Sequence, residues 1–359
     1  MGRLSPLASV AATREVLQAH GLATKKALGQ NFLVNDDVLV KIVDLAQLQG
    51  TDRVLEVGPG IGTLTIALLQ RAGCVVSVER DADLPAVLAR TCAPWADRFA
   101  LIRKDALDLE AEELHAAFAG LEEGVCAKAA PGGDDAPSSD GSPAYPPDVP
   151  GTESLLPNKF VSNLPYAVAA TLVLDFFERF PSLESATVMV QKEVADRMAA
   201  HPGTKNYGAY TVKLRLHAQP SGRFAVGPGN FFPPPHVESS VIRLDRRVPE
   251  EVLCAARSLA EAGSSCRDAG ADPSDAPVRE LVSATCVMAD AAFATRRKTL
   301  ANSFKTYFAG RGAEGKRIAA RLPQILEDAG IDPKRRGESL ALEEFVALGA
   351  AYMRLTCAK

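Results

Sequence analysis

Residues 53–79 read "RVLEVGPGIGTLTIALLQRAGCVVSVE", and the spacing of apolar side chains changes twice within them. "RVLEV" is a short apolar run of the kind that forms a strand covered on both faces. "TLTIALLQRAG" has a helical pattern that Gly73 stops, and "CVVSVE" is a second covered strand. Between the first strand and the helix lies a glycine turn, Gly58-x-Gly60-x-Gly62. Strand, helix and strand in this order predict a parallel sheet with helices on its faces.

The same alternation extends in both directions. Upstream, "NDDVLVKIVDLAQL" predicts a helix with Asn35 or Asp36 as cap and apolar residues at 38, 39, 42, 43, 45 and 46. Downstream, "DLPAVLAR", "FALIRKD" and "LDLEAEELHAAF" continue as helix, strand and helix, and "KFVSN", "ATLVLDFFERF", "SATVMVQ" and "KEVADRMAA" follow later. "GRFAVGPGNFFPPPHVESSVIRL" reads as two strands joined by a Pro-rich loop, closing the sheet with an antiparallel pair. Beyond about residue 248 only helical signals remain, among them "EEVLCAARSLAEAG" and "LALEEFVALGAAYMRL".

The predicted organisation is an N-terminal extension over 1–21, an α/β domain over 22–248 and a small all-α domain over 249–359. Two polar stretches interrupt it. Residues 124–157 are rich in Pro, Gly, Ser and Asp with few large apolar groups, which predicts an exposed, disordered insertion. Residues 263–277, "GSSCRDAGADPSDAP", form a second polar insertion in the helical domain.

The chain has 359 residues, enough for two domains at roughly 150 each. Its apolar runs fall far short of the ~18 residues that span a bilayer, so no membrane role is expected. The N-terminus lacks a basic start followed by a long apolar segment, so no export is expected either. Seven scattered cysteines without a C-x-x-C pair, and five dispersed histidines, predict free thiols in a reducing cytoplasm and no metal site. The formal charge of −4 is carried by residues 124–157, and the rest of the chain is neutral, which leaves a local basic face possible.

Three strand ends carry the first chemical signals. The glycine turn lets a ligand lie against the strand end and exposes helix N–H groups, although a purely structural turn would look the same. Its spacing misses the G-x-G-x-x-G of nicotinamide sites, because Thr63 stands where the last glycine would be. Glu79 ends the second strand, 21 residues after Gly58, where an acid can accept from ribose hydroxyls or merely face water. Asp105 ends the third, where a carboxylate can accept from an adenine amino group. Together they describe a nucleoside pocket at the C-terminal edge of the sheet.

The fourth strand ends in Asn163-Leu164-Pro165-Tyr166. The Asn oxygen, and a carbonyl freed by the turn at Pro165, can accept both hydrogens of an exocyclic base amine. Held this way, the nitrogen is drawn towards tetrahedral geometry and its lone pair is aimed at an electrophile. Tyr166 offers a face on which an unstacked base can rest. The alternative is an Asn-Pro turn with a core Tyr.

At this point the sequence resembles the rRNA adenine N6,N6-dimethyltransferases, class I S-adenosylmethionine enzymes with an N-L-P-Y signature. "LGQNFL" (28–33), "EVGPGIGTLT" (56–65), "VQKEVADRM" (190–198), "FFPPPHVESSV" (231–241) and "FATRRKTLANSF" (293–304) agree in order. The resemblance implies a Rossmann-like seven-stranded mixed sheet with a C-terminal helical RNA-binding domain. It implies that Asn31, Leu33, Gly58, Glu79, Asp105 and Asn163 bind S-adenosylmethionine, and that Asn163, Leu164, Pro165 and Tyr166 form the catalytic stretch. Phe231 would stack on the flipped adenine opposite Tyr166. It further implies dimethylation of two adjacent adenosines in 16S rRNA during 30S assembly, by a cytoplasmic monomer without a metal.

Lys25 and Lys26, Lys205, and Arg296 to Lys298 are the candidate RNA grips, or else solvated faces. Three rival readings stand beside this one: a large-subunit methyltransferase of the macrolide-resistance type, a non-catalytic RNA-binding assembly factor, and a nicotinamide oxidoreductase, which the glycine spacing disfavours.

Overall fold

A computed structural model of the chain describes residues 3–23, 30–129, 155–261 and 276–357. These divide into two compact units, one of 1–192 with 222–243 and the other of 193–221 with 244–359. The second unit therefore takes in residues 193–221, which the sequence reading placed with the sheet.

The first unit opens with α1 (Val10–Ala19), capped by Ser9 Oγ, which accepts from the Ala12 N–H at 3.2 Å. It then passes through β1 (Phe32–Leu33) into α2 (Asp36–Ala46), where Asn35 caps by accepting from the Asp37 N–H. The face predicted to be apolar is the buried one, with Val38, Leu39, Ile42, Val43 and Ala46 all inside. The alternation continues as β2 (Arg53–Val57), α3 (Thr63–Leu69), β3 (Cys74–Glu79), α4 (Pro85–Thr91), β4 (Phe99–Arg103), α5 (Ala111–Ala129), β5 (Lys159–Asn163), α6 (Ala169–Arg179) and β6 (Ser185–Gln191). β2 pairs in parallel with β3 and β5, and β4 and β6 extend the ladder on either side. With β7 (Ala218–Val226) and β9 (Ser239–Arg246) the sheet has seven strands in the order β4-β3-β2-β5-β6-β9-β7 and is mixed.

The Pro-rich loop carries more structure than its composition announced. Phe231–Phe232 form β8, which pairs antiparallel with β1, Leu33 opposite Phe231 and Phe32 opposite Phe232. α5 also runs further than expected, through residues 124–129. Those residues are mostly Ala, Val and Cys, and the first proline of the stretch is Pro131, so nothing stops the helix earlier. At the other end of the stretch, the Leu156 carbonyl accepts from Arg53 Nε and the Pro157 carbonyl from Ser182 Oγ. Residues 130–154 of the expected disordered insertion lie outside the described residues, as do 263–275 of the second one. Ala276 and Pro277 already belong to a helix.

The second unit contains most of α7 (Lys192–Met198), then α8 (Ala209–Arg215), α9 (Glu250–Glu261), α10 (Ala276–Phe293), α11 (Leu300–Ala309), α12 (Gly312–Asp328) and α13 (Leu342–Cys357). α10 packs against α8, α9, α11 and α13 around a core that includes Met288, Leu300, Phe304, Phe308, Leu322 and Phe345. No helix among the described residues is long and apolar enough to cross a membrane.

Candidate active site

The four parallel strand ends of β2, β3, β4 and β5 open on one cavity of about 540 Å³. That lies within the ~300–1,000 Å³ range of small-molecule sites. Among its lining residues are Asn31, Leu33, Gly58, Glu79, Asp105, Asn163, Leu164, Pro165 and Tyr166. All the expected site residues except Phe231 therefore meet in one place.

The glycine turn is built from three residues in the left-handed region, Gly58 at φ +69°, Gly60 at +61° and Gly62 at +91°. L side chains avoid that region, so the turn needs glycine for its backbone alone. At Gly60 it also needs space, since a Cβ there would stand 3.0 Å from the Phe32 ring, whereas one on Gly58 would meet Pro165 at an ordinary contact distance of 3.5 Å. The turn thereby passes between β1 and the Asn-Leu-Pro-Tyr stretch.

Glu79 ends β3 only 7% exposed. Its Oε1 accepts from the Asp81 N–H at 2.8 Å, and the N–H groups of Gly60 and Arg80 also point to the carboxylate. Burial raises its pKa above the ordinary glutamate value, and the backbone donors pull it back down. A carboxylate has about four acceptor sites, so three donors leave capacity for a sugar hydroxyl. Asp105 is more open: Oδ1 accepts from the Leu107 N–H at 3.1 Å, and Oδ2 pairs with Arg80 at 3.1 Å. Arg80 is thereby held between the second and third strand ends, beside the cavity it also lines.

At the fourth strand end Asn163 Nδ2 donates to the Asn31 carbonyl at 3.3 Å. That commits the donor end of the amide and leaves Oδ1, an acceptor, for a ligand. The Pro165 carbonyl accepts from the Val168 N–H at 3.2 Å and closes the turn. Since Pro165 lacks an N–H, no ladder donor follows Leu164, whose own N–H goes to the Met189 carbonyl at 3.1 Å. The Tyr166 hydroxyl shares a 2.7 Å hydrogen bond with Ser239 Oγ, and burial raises its pKa. Ser239 is fully buried in β9, so the ring is tied to the first residue of that strand.

Phe231 departs from expectation. It is 3% exposed, belongs to a hydrophobic cluster with Leu33, Val161 and Met189, and does not line the cavity. Its pairing with Leu33 in the β1/β8 ladder turns it inward. The next ring, Phe232, is half-buried with the Arg14 guanidinium 4.9 Å from its centroid.

Glu56 and Gln191 line the cavity and were not among the sequence candidates. Glu56 sits within β2, almost fully buried, and its Oε2 accepts from Thr65 Oγ1 at 2.7 Å and Ser77 Oγ at 2.8 Å. An acid inside the apolar run "RVLEV" was the available signal. Gln191 ends β6, and the strand-end logic that found Glu79, Asp105 and Asn163 reaches it when carried one strand further.

Of the expected RNA grips, Lys25 and Lys26 lie outside the described residues. Lys205, Arg297 and Lys298 are exposed on loops of the second unit. Arg296 pairs with Glu338 at 3.2 Å and donates to the Thr204 carbonyl at 3.2 Å. Among the described residues, no group of three His, Cys, Asp or Glu side chains is placed to hold a metal ion.

Comparison with known proteins gives this geometry a context. A family model described as Ribosomal RNA adenine dimethylase matches residues 21–254. The chain is 35% identical to Ribosomal RNA small subunit methyltransferase A of Corynebacterium jeikeium, over 95% of this chain and 94% of that protein. It is 34% identical to the protein of the same name from Geobacillus thermodenitrificans, over 97% and 98%. Among solved structures, it resembles a dimethyladenosine transferase from Plasmodium falciparum with a TM-score of 0.60 and 19% identity, covering 88% of this chain and 95% of that one. It resembles the 23S rRNA methyltransferase ErmE with a TM-score of 0.51 and 21% identity, covering 89% and 99%. These two likenesses establish the fold.

Proposed function

The chain belongs to the ribosomal RNA adenine dimethylase family, and from that premise we propose how its cavity works. The chain is an S-adenosylmethionine-dependent rRNA adenine dimethyltransferase that adds two methyl groups to N6 of each of two adjacent adenosines in a small-subunit rRNA hairpin near the 3′ end. The substrate in this reading is the 16S rRNA of an assembling 30S subunit, in the cytoplasm. In this reading the chain acts as a monomer.

One observation carries the assignment of roles. Gly58, Glu79, Asp105 and Asn163 are strand-end neighbours around one cavity, in the order a nucleoside-bearing methyl donor requires. The cavity fits that donor on its own chemistry. Gly58 and Gly60 line the cavity with bare backbone, Glu79 offers a buried acceptor for the ribose, and Asp105 an acceptor near the adenine amine. Asn31 and Leu33 cover the methionine end.

Bound there, S-adenosylmethionine supplies a methyl group on a sulfonium, already a good leaving group. The chain's part is positioning. In the first transfer Asn163 Oδ1 and the Leu164 carbonyl accept the two N6 hydrogens, and in the second one of them accepts the single hydrogen left, which localises the nitrogen lone pair and points it along the line of attack. Tyr166 supports the ring plane, held by Ser239. After attack the amine sheds its proton, and no strongly basic side chain is needed. Well-oriented reactants gain ~7–11 kcal/mol from such placement.

Asn163→Ala tests the assignment. Single-turnover methylation is expected to fall on the order of 10²–10³-fold, the scale of losing one preorganised polar contact at a reacting centre. Thermal stability and RNA affinity should stay near wild type. Unchanged turnover would remove Asn163 from the mechanism.

A further inference from the structure

The acceptor end of the cavity has an amide that neither donor binding nor the N6 contacts use. Gln191 is the last residue of β6 and lines the cavity. In the β5/β6 ladder Asn163 lies opposite Met189. Residues two apart on a strand share a face, so Gln191 follows Met189 on the face that Asn163 occupies, level with Pro165. Its backbone is anchored on the following residue, where the Lys192 N–H donates to the Glu238 carbonyl at 2.9 Å and Lys192 Nζ pairs with Glu238 Oε2 at 3.0 Å. The residue after Glu238 is Ser239, which holds the Tyr166 hydroxyl. Two consecutive residues of the Pro-rich motif thus fix both the stacking ring and the chain at Gln191.

We propose that Gln191 donates through Nε2 to ring N1 of the acceptor adenine and so selects adenine over guanine. This rests on the methyl-transfer reading above. Once both N6 hydrogens are taken by Asn163 Oδ1 and the Leu164 carbonyl, the ring positions flanking that amine offer only lone pairs, N1 on one side and N7 on the other. A carboxamide N–H satisfies such a nitrogen, and a carboxylate does not. N1 is the discriminating partner, because guanine and hypoxanthine carry N1–H there and would set donor against donor. N7 is an acceptor in all three bases and would discriminate nothing.

The test uses rRNA fragments with adenosine, 1-deazaadenosine or 7-deazaadenosine at the target position, methylated by the wild type, Gln191→Leu and Gln191→Glu. The wild type is expected to lose about 10- to 100-fold in kcat/KM with 1-deazaadenosine and to tolerate 7-deazaadenosine. Gln191→Leu should lose a similar factor with adenosine and nothing further with 1-deazaadenosine, with the Kd for S-adenosylmethionine unchanged. Gln191→Glu, of equal size but without the donor, should fall alongside it. Losses that multiply independently, or a Gln191→Leu variant as active as wild type, overturn the assignment. Absence of any transfer to adenosine by the wild type would sink the methyl-transfer reading with it, whereas normal transfer by an unimpaired variant sinks this inference alone.

Discussion

Glu56 shows how much chemistry one acid inside an apolar strand can hold. Its carboxyl is buried against Thr65 and Ser77, and burial raises its pKa to about 7 despite both hydroxyl donors. The folded state therefore holds the proton more tightly than the unfolded chain does. Stability from this group is fully present below about pH 4.5 and is lost as pH rises towards 7, a swing of roughly 3 kcal/mol in total. Gln at this position keeps an acceptor for both hydroxyls and cannot ionise. Glu56→Gln should thus gain in Tm over the wild type progressively between pH 5 and pH 8, and a difference that stays flat across that range would place the titration elsewhere. Glu79 has the opposite assignment, a ligand contact. Glu79→Ala should weaken S-adenosylmethionine binding by about 10- to 100-fold in calorimetry while RNA affinity holds, the scale of losing a charged hydrogen-bond acceptor. Equal affinity would free Glu79 from the ribose. Among single residues, those at strand ends were legible because position and chemistry coincide there. Phe231 was not, because its orientation is set by pairing with Leu33 across 198 residues of chain, which no local pattern announces.

The elements themselves were read more easily. β2, β3, β5 and β6 occupy the apolar runs that foretold them, since strands covered on both faces need continuous apolar sequence. The two-residue strands β1 and β8 left no such trace. They matter nonetheless, because β1 carries Phe32 onto the glycine turn. Gly60→Ala places a side chain at φ +61° with a Cβ 3.0 Å from that ring, so it should cost about 1–3 kcal/mol in urea denaturation and weaken the methyl-donor site. Gly120→Ala in α5 has nothing within 4 Å and should be neutral or stabilise by up to ~1 kcal/mol. Equal effects from the two would mean the turn is not strained in the way described. α1 was missed in turn because its short polar-apolar sequence carries a cap, Ser9, but no long periodic run.

Across the whole molecule, charge separates what composition averages. The unit formed by 193–221 and 244–359 has 22 Lys and Arg against 18 Asp and Glu, a balance of +4, whereas the whole chain carries −4. The basic excess lies in the helical unit, on the segments that connect its helices, as the reading of a helical RNA-binding domain requires. Arg297 and Lys298 are exposed there, while Arg296 is engaged with Glu338. Replacing Arg297 and Lys298 by Ala should reduce the slope of log K against log salt for rRNA binding by about 1–2. An unchanged slope would assign them to the helical unit alone.

The methylation itself is open to direct reading. Small-subunit rRNA from a strain lacking this protein, incubated with the purified chain and S-adenosylmethionine, should yield N6,N6-dimethyladenosine at two adjacent positions near the 3′ end when its nucleosides and fragments are measured by mass spectrometry. Asn163→Ala should leave those positions unmodified. Methylation of another base, methylation confined to large-subunit rRNA, or no methylation by the wild-type chain would contradict it.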